Sequence, residues 1–248
     1  MRSRVASIRA EVLAIASRPM FREGAGDAAP MAIGIAAWGL VAGVAMAKSG
    51  MGVPLAIFMS ILVYAGSAQI ASLPLIVAGA PKWVVLVTTL CVNLRFMAFS
   101  FHYRPYFAHL PRTRRLALSY LMGDTNFALF IRRFPEHVPG HEYEDYFLGC
   151  ALLTYGAWQL SIVTGIIAGH GIPASWGLGF AGTMALLALT CTQLRNPSTW
   201  AAAVVAACAA IAAYALPLKL NILVAIAAAV AVGFLTDHAR AARAGAKP

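Results

Sequence analysis

Two charged residues lie inside apolar stretches of this sequence. Asp124 stands two residues before Asn126, and Arg95 stands two residues after Asn93. A charge at the middle of a bilayer costs at least about 2.5–3.5 kcal/mol, so it requires a partner or a function. A carboxylate binds an ammonium group or carries a proton, and a guanidinium matches a carboxylate. We expect Asp124 and Arg95 to serve a small substrate in these ways. The alternatives are an ion pair between the two and, for Arg95, a side chain that reaches the membrane interface.

A second polar group interrupts the apolar stretch 54–79. It comprises Tyr64, Gly66, Ser67 and Gln69, and a proline follows. Glycine, polar side chains and proline are typical of a broken helix at membrane depth. The Gln69 amide has both donors and acceptors, so it could bind either end of an amino acid. The alternative for these side chains is packing between helices.

Asp27 precedes Pro30 at the start of the first apolar stretch. An aspartate there favours a helix N-cap, stabilised by the helix dipole, and a gating role is the alternative. His137 and His141 lie in a proline-rich loop rather than on one helix face, which argues against a metal site. The sequence has no HExxH, GxSxG or Walker motif, so we expect no enzyme and no cofactor.

The composition indicates what surrounds these residues. The chain is 60% hydrophobic and 11% charged, with a mean hydropathy of +0.75. Soluble domains contain about 25% charged residues, so this chain cannot cover a water-facing surface of its size. The net charge of +10 comes from lysines and arginines between apolar runs, where membrane lipids rather than nucleic acid are the expected partners.

A bilayer core of about 30 Å requires roughly 20 apolar residues of helix, whose backbone groups are bonded within the segment. We therefore predict an all-α integral membrane fold with six to eight spans. The sixteen residues of segment 116–131 reach only about 24 Å, so this segment is tilted, broken or packed within the protein. The eight candidate segments are 31–48, 54–79, 83–103, 116–131, 146–168, 172–194, 198–216 and 218–236. They form one transmembrane domain, 26–237, between a basic amphipathic segment, 1–25, and a basic tail, 238–248.

The arginines predict the orientation. The N-terminus, loop 104–115 and the C-terminal tail are basic and should be cytoplasmic, and the acidic stretch 132–145 should be outside. Eight simple spans violate this rule. The rule is satisfied if segments 54–79 and 172–194 enter the membrane and return.

A faint internal repeat favours the same topology. The run at 64–67 (YAGS) is echoed at 180–183 (FAGT), and a GxxxG motif precedes each run. In this topology the two halves of the chain start from opposite sides of the membrane. Such an inverted repeat is common in transporters. The glycines of the two motifs, which we expect to allow close helix contact, are Gly39 with Gly43 and Gly165 with Gly169.

Four motifs in this order resemble the AzlC family, the large subunit of branched-chain amino acid exporters. They are Asp27-x-x-Pro30, Tyr64-Ala65-Gly66-Ser67-Ala68-Gln69, Asn93-Leu94-Arg95 and Gly123-Asp124, and the resemblance spans about residues 25–236. It implies a proton-coupled secondary transporter subunit that exports branched-chain or other small amino acids. It also implies a small AzlD-type membrane partner and a multi-pass location in a bacterial inner membrane.

Two positions depart from the family pattern. Phe96 stands where members often have histidine, and Thr125 stands where many have glutamate. Both changes remove titratable groups, so they bear on the substrate and on proton coupling. A passive channel and a non-transporting scaffold subunit are the alternative functions.

Overall fold

The computed structural model describes residues 15–138, 142–171, 191, 194, 196–216 and 220–245. In this part of the chain the regular elements are helices, which confirms the predicted all-α class. They are α1 (Pro19–Lys48), α2 (Val53–Leu62), α3 (Gly66–Val77), α4 (Lys82–Phe107), α5 (Arg112–Tyr120), α6 (Asp124–Arg133), α7 (Tyr143–Gly171), α8 (Pro197–Ala212) and α9 (Leu220–Gly245). Among the described helices, α1, α4 and α7 are long and apolar enough to cross a membrane.

Helices α1 and α7 form the centre of the fold and run parallel. Gly24 of α1 lies against the backbone of Tyr146, and Gly43, nineteen residues later, lies against the backbone of Ile162. A Cβ atom added to Gly43 would lie 2.9 Å from the Cα atom of Gly165. The two GxxxG motifs therefore pack on each other, which confirms their predicted role in close contact. We call the side where α1 and α7 begin the N-terminal side.

The predicted break in segment 54–79 is present. Residues 63–65 separate α2 from α3, and these helices of 10 and 12 residues are only about 15 and 18 Å long. Ala56 of α2 and Leu73 of α3 belong to one apolar cluster with Met46 and Ile166, near the ends of α1 and α7. The segment thus enters and leaves on the side opposite the N-terminal side. We call α2 and α3 the first hairpin.

Segment 116–131 is also broken, which is one of the three possibilities that its length allowed. Residues 121–123 separate α5 from α6. Leu118 and Phe130 pack in one cluster with Phe107, at the end of α4, and with Phe147, near the start of α7. This second hairpin therefore enters and leaves on the N-terminal side. The two hairpins approach each other from opposite sides of the fold.

The structure contradicts the predicted position of the acidic stretch. Arg114, in α5, pairs with Glu144 at 2.5 Å, and Arg18, before α1, pairs with Asp145 at 2.9 Å. The acidic residues therefore share one side with the arginines, and their prediction on the opposite side was wrong. The physical reason is that segment 116–131 turns back instead of crossing. Acidic residues, moreover, contribute little to membrane orientation.

Several predictions concern residues outside the described ranges. Most of segment 172–194 lies there, with the echo at 180–183, and so do most of the basic N-terminal segment and the end of the tail. The predicted re-entry of segment 172–194 thus remains a prediction.

Helix α1 begins at Pro19, twelve residues before the predicted segment, so Asp27 and Pro30 lie within a helix.

Candidate functional site

The two hairpins meet beside the middle of α4, and Arg95 lies between them. Its Nη2 atom is 3.1 Å from Oδ2 of Asp124, the first residue of α6. The same nitrogen donates a hydrogen bond to the hydroxyl of Ser67, in the first turn of α3. One guanidinium therefore connects both hairpins, and the structure brings together three of the predicted site residues.

The chain breaks create this geometry. The residues that precede α3 and α6, Ala65 and Gly123, have extended or irregular backbones, and neither provides a side-chain cap. The first N–H groups of a helix have no intrahelical partner, and the helix dipole adds partial positive charge there. Asp124 occupies such a first turn, so both the α6 dipole and Arg95 stabilise its carboxylate.

A small cavity of about 90 Å³ lies at this junction. Its lining residues come from α1, α4, α7, both chain breaks and the first turns of α3 and α6: Ile35, Trp38, Tyr64, Ala65, Gly66, Arg95, Phe96, Met122, Gly123, Asp124, Thr125, Asn126, Thr154 and Trp158. Ligand pockets usually measure about 300–1,000 Å³. The cavity is therefore smaller than a typical ligand pocket in the observed conformation.

The predicted residues Tyr64, Gly66 and Asn126 also line the cavity. Trp158 fixes the position of the first break, because a Cβ atom at Gly66 would lie 2.5 Å from the Trp158 ring. Trp158 in turn packs edge-on against Trp38, with ring centroids 5.0 Å apart. Neither tryptophan was predicted as a site residue, since aromatic residues in apolar runs are typical of ordinary packing.

Four predicted residues do not line the cavity, and one of them, Ser67, is connected to it through its hydrogen bond with Arg95. Gln69 is fully buried, and its amide nitrogen donates to the Met59 carbonyl at 3.3 Å, which ties α3 to α2. Asn93 is half-buried on α4, two residues before Arg95. Asp27 accepts a hydrogen bond from the Tyr146 hydroxyl at 2.7 Å, near the N-terminal side. The N-cap interpretation of Asp27 was therefore wrong, because α1 starts eight residues earlier.

Three tyrosine rings pack together where the two hairpins meet, next to the cavity. The ring of Tyr64 lies 4.9 Å from that of Tyr155 and 6.1 Å from that of Tyr120. The Tyr120 hydroxyl donates to the carbonyl of Ile61, at the end of α2. Tyr120 and Tyr155 were not predicted, because their contact depends on how the second hairpin and α7 pack.

Asn126 has a structural role that its sequence position did not reveal. It is 1% exposed, and its amide nitrogen donates to the Leu121 carbonyl at 3.0 Å across the second break. Its amide oxygen accepts a hydrogen bond from the Thr154 hydroxyl of α7 at 3.0 Å. Asn126 therefore holds the turn that presents Asp124.

Substituting Asn126→Leu should destabilise the protein. The change leaves the Leu121 carbonyl without the Asn126 amide and removes the bond between Asn126 and Thr154, at a cost of about 1–3 kcal/mol. The Thr154 hydroxyl keeps its bonds to the carbonyls of Cys150 and Ala151. For a chain of this size that corresponds to a fall in Tm of about 2–12 °C, measured by thermal unfolding in detergent. Thr154→Ser keeps the hydroxyl and loses one buried methyl group, worth about 0.8 kcal/mol, so this control should lower the Tm by less than Asn126→Leu. An unchanged Tm for Asn126→Leu would refute this role.

The chain matches the AzlC protein family over residues 30–172. It is 25% identical over 165 residues to an uncharacterized membrane protein of Helicobacter pylori, covering 66% of this chain and 71% of that protein. It is 22% identical over 224 residues to the inner membrane protein YgaZ of Escherichia coli, covering 87% and 89% of the two chains. No solved structure matches. The family match covers both hairpins and the Arg95–Asp124 pair, and the chain belongs to the AzlC family of membrane proteins.

Proposed function

We propose that this chain is the transporting subunit of a secondary exporter for branched-chain or other small amino acids. The observation that carries the proposal is the pair of opposite charges, Arg95 and Asp124, at a cavity between two hairpins that enter from opposite sides. A zwitterionic amino acid carries the same two charges. Its carboxylate matches the fork of donors on Arg95, and its ammonium group matches the Asp124 carboxylate.

The exposure of the two side chains is consistent with a substrate that takes the place of the ion pair. The side chains of Arg95 and Asp124 are 26% and 49% exposed, so neither charge is enclosed by the protein. A zwitterionic substrate offers each of them an opposite charge. It can therefore replace the pair without leaving either charge unpartnered. The apolar substrate side chain would then contact Ile35, Phe96 and Met122, which line the same cavity.

The opposed hairpins suggest how the cavity opens. In transporters with discontinuous helices, one part rocks against another around a fixed site near the middle of the membrane. Here the first hairpin would open towards one side, and the second hairpin towards the other. Arg95, on the long helix α4, would stay in place while Ser67 and Asp124 move with their hairpins.

Proton coupling and a small AzlD-type membrane partner remain part of the proposal. Asp124 is the one acidic side chain in the described lining of the cavity. Phe96 and Thr125, which replace titratable residues of the family pattern, line the same cavity. Asp124 would therefore carry the coupled proton. A partner would cover apolar surface such as the exposed face of α4, which includes Leu86, Leu90 and Leu94 at 57–59% exposure.

Counterflow into proteoliposomes, with and without a co-purified small partner, tests this function. Liposomes loaded with unlabelled L-leucine should accumulate labelled L-leucine or L-valine at least tenfold faster than D-leucine, because the charged ends orient the substrate against an asymmetric wall. A proton ionophore should abolish accumulation that is driven by an imposed pH gradient. Equal flux of both enantiomers would indicate a passive channel, and no flux with either preparation would indicate a scaffold; each result overturns the proposal.

A further inference from the structure

A second and larger cavity lies between the end of α4 and helix α5. Its volume is about 700 Å³, within the range of ligand-binding pockets. The residues that line it are Ser100, Phe101, Tyr103, Arg104, Phe107, Ala108, Arg112, Arg115, Leu116, Leu118, Ser119, Met122 and Phe147. We call it the arginine cleft. It contains neither Arg95 nor Asp124, so its chemistry is separate from that of the central site.

Positive charge in this cleft has no counterpart within the described part of the chain. Arg104, Arg112 and Arg115 all line it, and none forms an ion pair with a described carboxylate. No aspartate or glutamate lines the cleft either. The neighbouring Arg114, by contrast, is paired with Glu144. Three arginines that line one cleft without an acid therefore favour an anion, and a phosphodiester suits the fork of donors on a guanidinium group.

Most of the other residues that line the cleft are apolar. Phe101 and Leu116 are 71% and 72% exposed at its edge, while Phe107 and Phe147 are buried at its base. Tyr103 is buried there too, and its hydroxyl has no hydrogen-bond partner among the described residues. A ligand that fills this space must combine an anionic group with an apolar chain. Free phosphate would leave the apolar walls uncovered.

The position of the cleft identifies the source of such a ligand. It lies where α4 ends and the amphipathic helix α5 begins with Arg112, Arg114 and Arg115, on the N-terminal side. Loop 104–115 is predicted to be cytoplasmic, and basic pockets between membrane helices on the cytoplasmic side bind the headgroups of anionic lipids.

We propose that the arginine cleft is a specific binding site for an anionic phospholipid of the phosphatidylglycerol type. Arg104, Arg112 and Arg115 hold the phosphodiester, and an acyl chain lies along Phe101 and Leu116. Met122 lines both the cleft and the central cavity, so the bound lipid also supports the second hairpin. The site does not depend on the transported substrate.

Native mass spectrometry of the full-length chain in detergent tests this proposal. The probes are phosphatidylglycerol, phosphatidylcholine with the same acyl chains, and inorganic phosphate. We expect one phosphatidylglycerol molecule to bind at least tenfold more tightly than phosphatidylcholine, and inorganic phosphate at the same concentration not to displace it. Equal affinity for the two lipids would overturn the proposal. So would full displacement by phosphate, which would show a site for a soluble anion.

Two variants with matched controls separate a built site from general attraction to a basic surface. The triple variant Arg104→Gln, Arg112→Gln, Arg115→Gln should lose at least tenfold in phosphatidylglycerol affinity. The triple variant Arg22→Gln, Lys82→Gln, Arg132→Gln removes the same number of charges from exposed residues outside the cleft and should not. Ala108→Trp fills the cleft without changing its charge and should also weaken binding, whereas Ala201→Trp on α8 should not. Wild-type affinity in both cleft variants would show that lipid binds elsewhere.

Discussion

Replacing Asp124 with asparagine should reduce amino acid export by about 10- to 100-fold without unfolding the protein. Asparagine has the same shape and still offers an oxygen to Arg95, so the junction of the hairpins stays intact. What disappears is the negative charge that, in the proposed function, binds the substrate ammonium group. A hydrogen bond to a charged group contributes about 1.5–3 kcal/mol, which corresponds to this range of rates. The measurement is the initial rate of leucine counterflow in proteoliposomes, with thermal unfolding as the test of folding.

The matched control is Glu23→Gln. Glu23 also pairs with an arginine, Arg133, at 2.6 Å, and both side chains are about 40% exposed. That pair joins α1 to the end of α6, at a distance from the cavity lining. Its loss should therefore leave counterflow within about twofold of the wild type, since such exposed pairs contribute little. A folded Asp124→Asn protein with the same rate as Glu23→Gln would remove Asp124 from the transport mechanism.

Exchanging the two charges separates a structural pair from a binding site. In the double variant Arg95→Asp, Asp124→Arg, an ion pair can still form between the hairpins. If the pair only holds the fold, the double variant should recover the stability and the activity that either single variant loses. We expect it to recover stability but not export, because the substrate carboxylate and ammonium group would meet the wrong ends of the site.

Introducing leucine at Gly43 should prevent the protein from assembling. The Cβ atom alone would clash with the Ile162 carbonyl and lie 2.8 Å from the Ile166 nitrogen. These are backbone atoms of α7, which cannot move aside without separating the two parallel helices. Overpacking costs about 1–3 kcal/mol in an adaptable core and more against fixed backbone. We expect a fall in Tm of at least about 10 °C or loss of the monodisperse peak in size-exclusion chromatography.

Gly34→Leu on the same helix is the control for this substitution. A Cβ atom at Gly34 would meet nothing within 4 Å, and the residue is exposed. The two variants share the change in helix propensity and hydrophobicity, so they differ in packing alone. Equal stability of the Gly43→Leu and Gly34→Leu proteins would show that close contact between α1 and α7 does not hold the fold together.

The amino-acid sequence by itself determined the class of protein and the identity of its charged groups. Low charge content and long apolar runs leave no choice but a helical membrane fold. The cost of burying Asp124 and Arg95 marked them as residues with a partner or a function, and the structure pairs them. The break at Gly66 and the glycine contacts at Gly43 and Gly165 were also predictable, because these residue types permit only a few structures.

The tertiary structure decided which side each element faces and which neutral residues surround the site. Asn126 and Thr154 are 28 positions apart, and nothing local in the sequence indicates that they form a hydrogen bond. The second hairpin could not be predicted from local sequence either. Its apolar residues are compatible with one tilted span or with two short helices. Hydropathy measures how well a segment tolerates lipid, but it does not measure whether the segment crosses. That choice depends on packing against α4 and α7, which involves contacts between residues far apart in the chain.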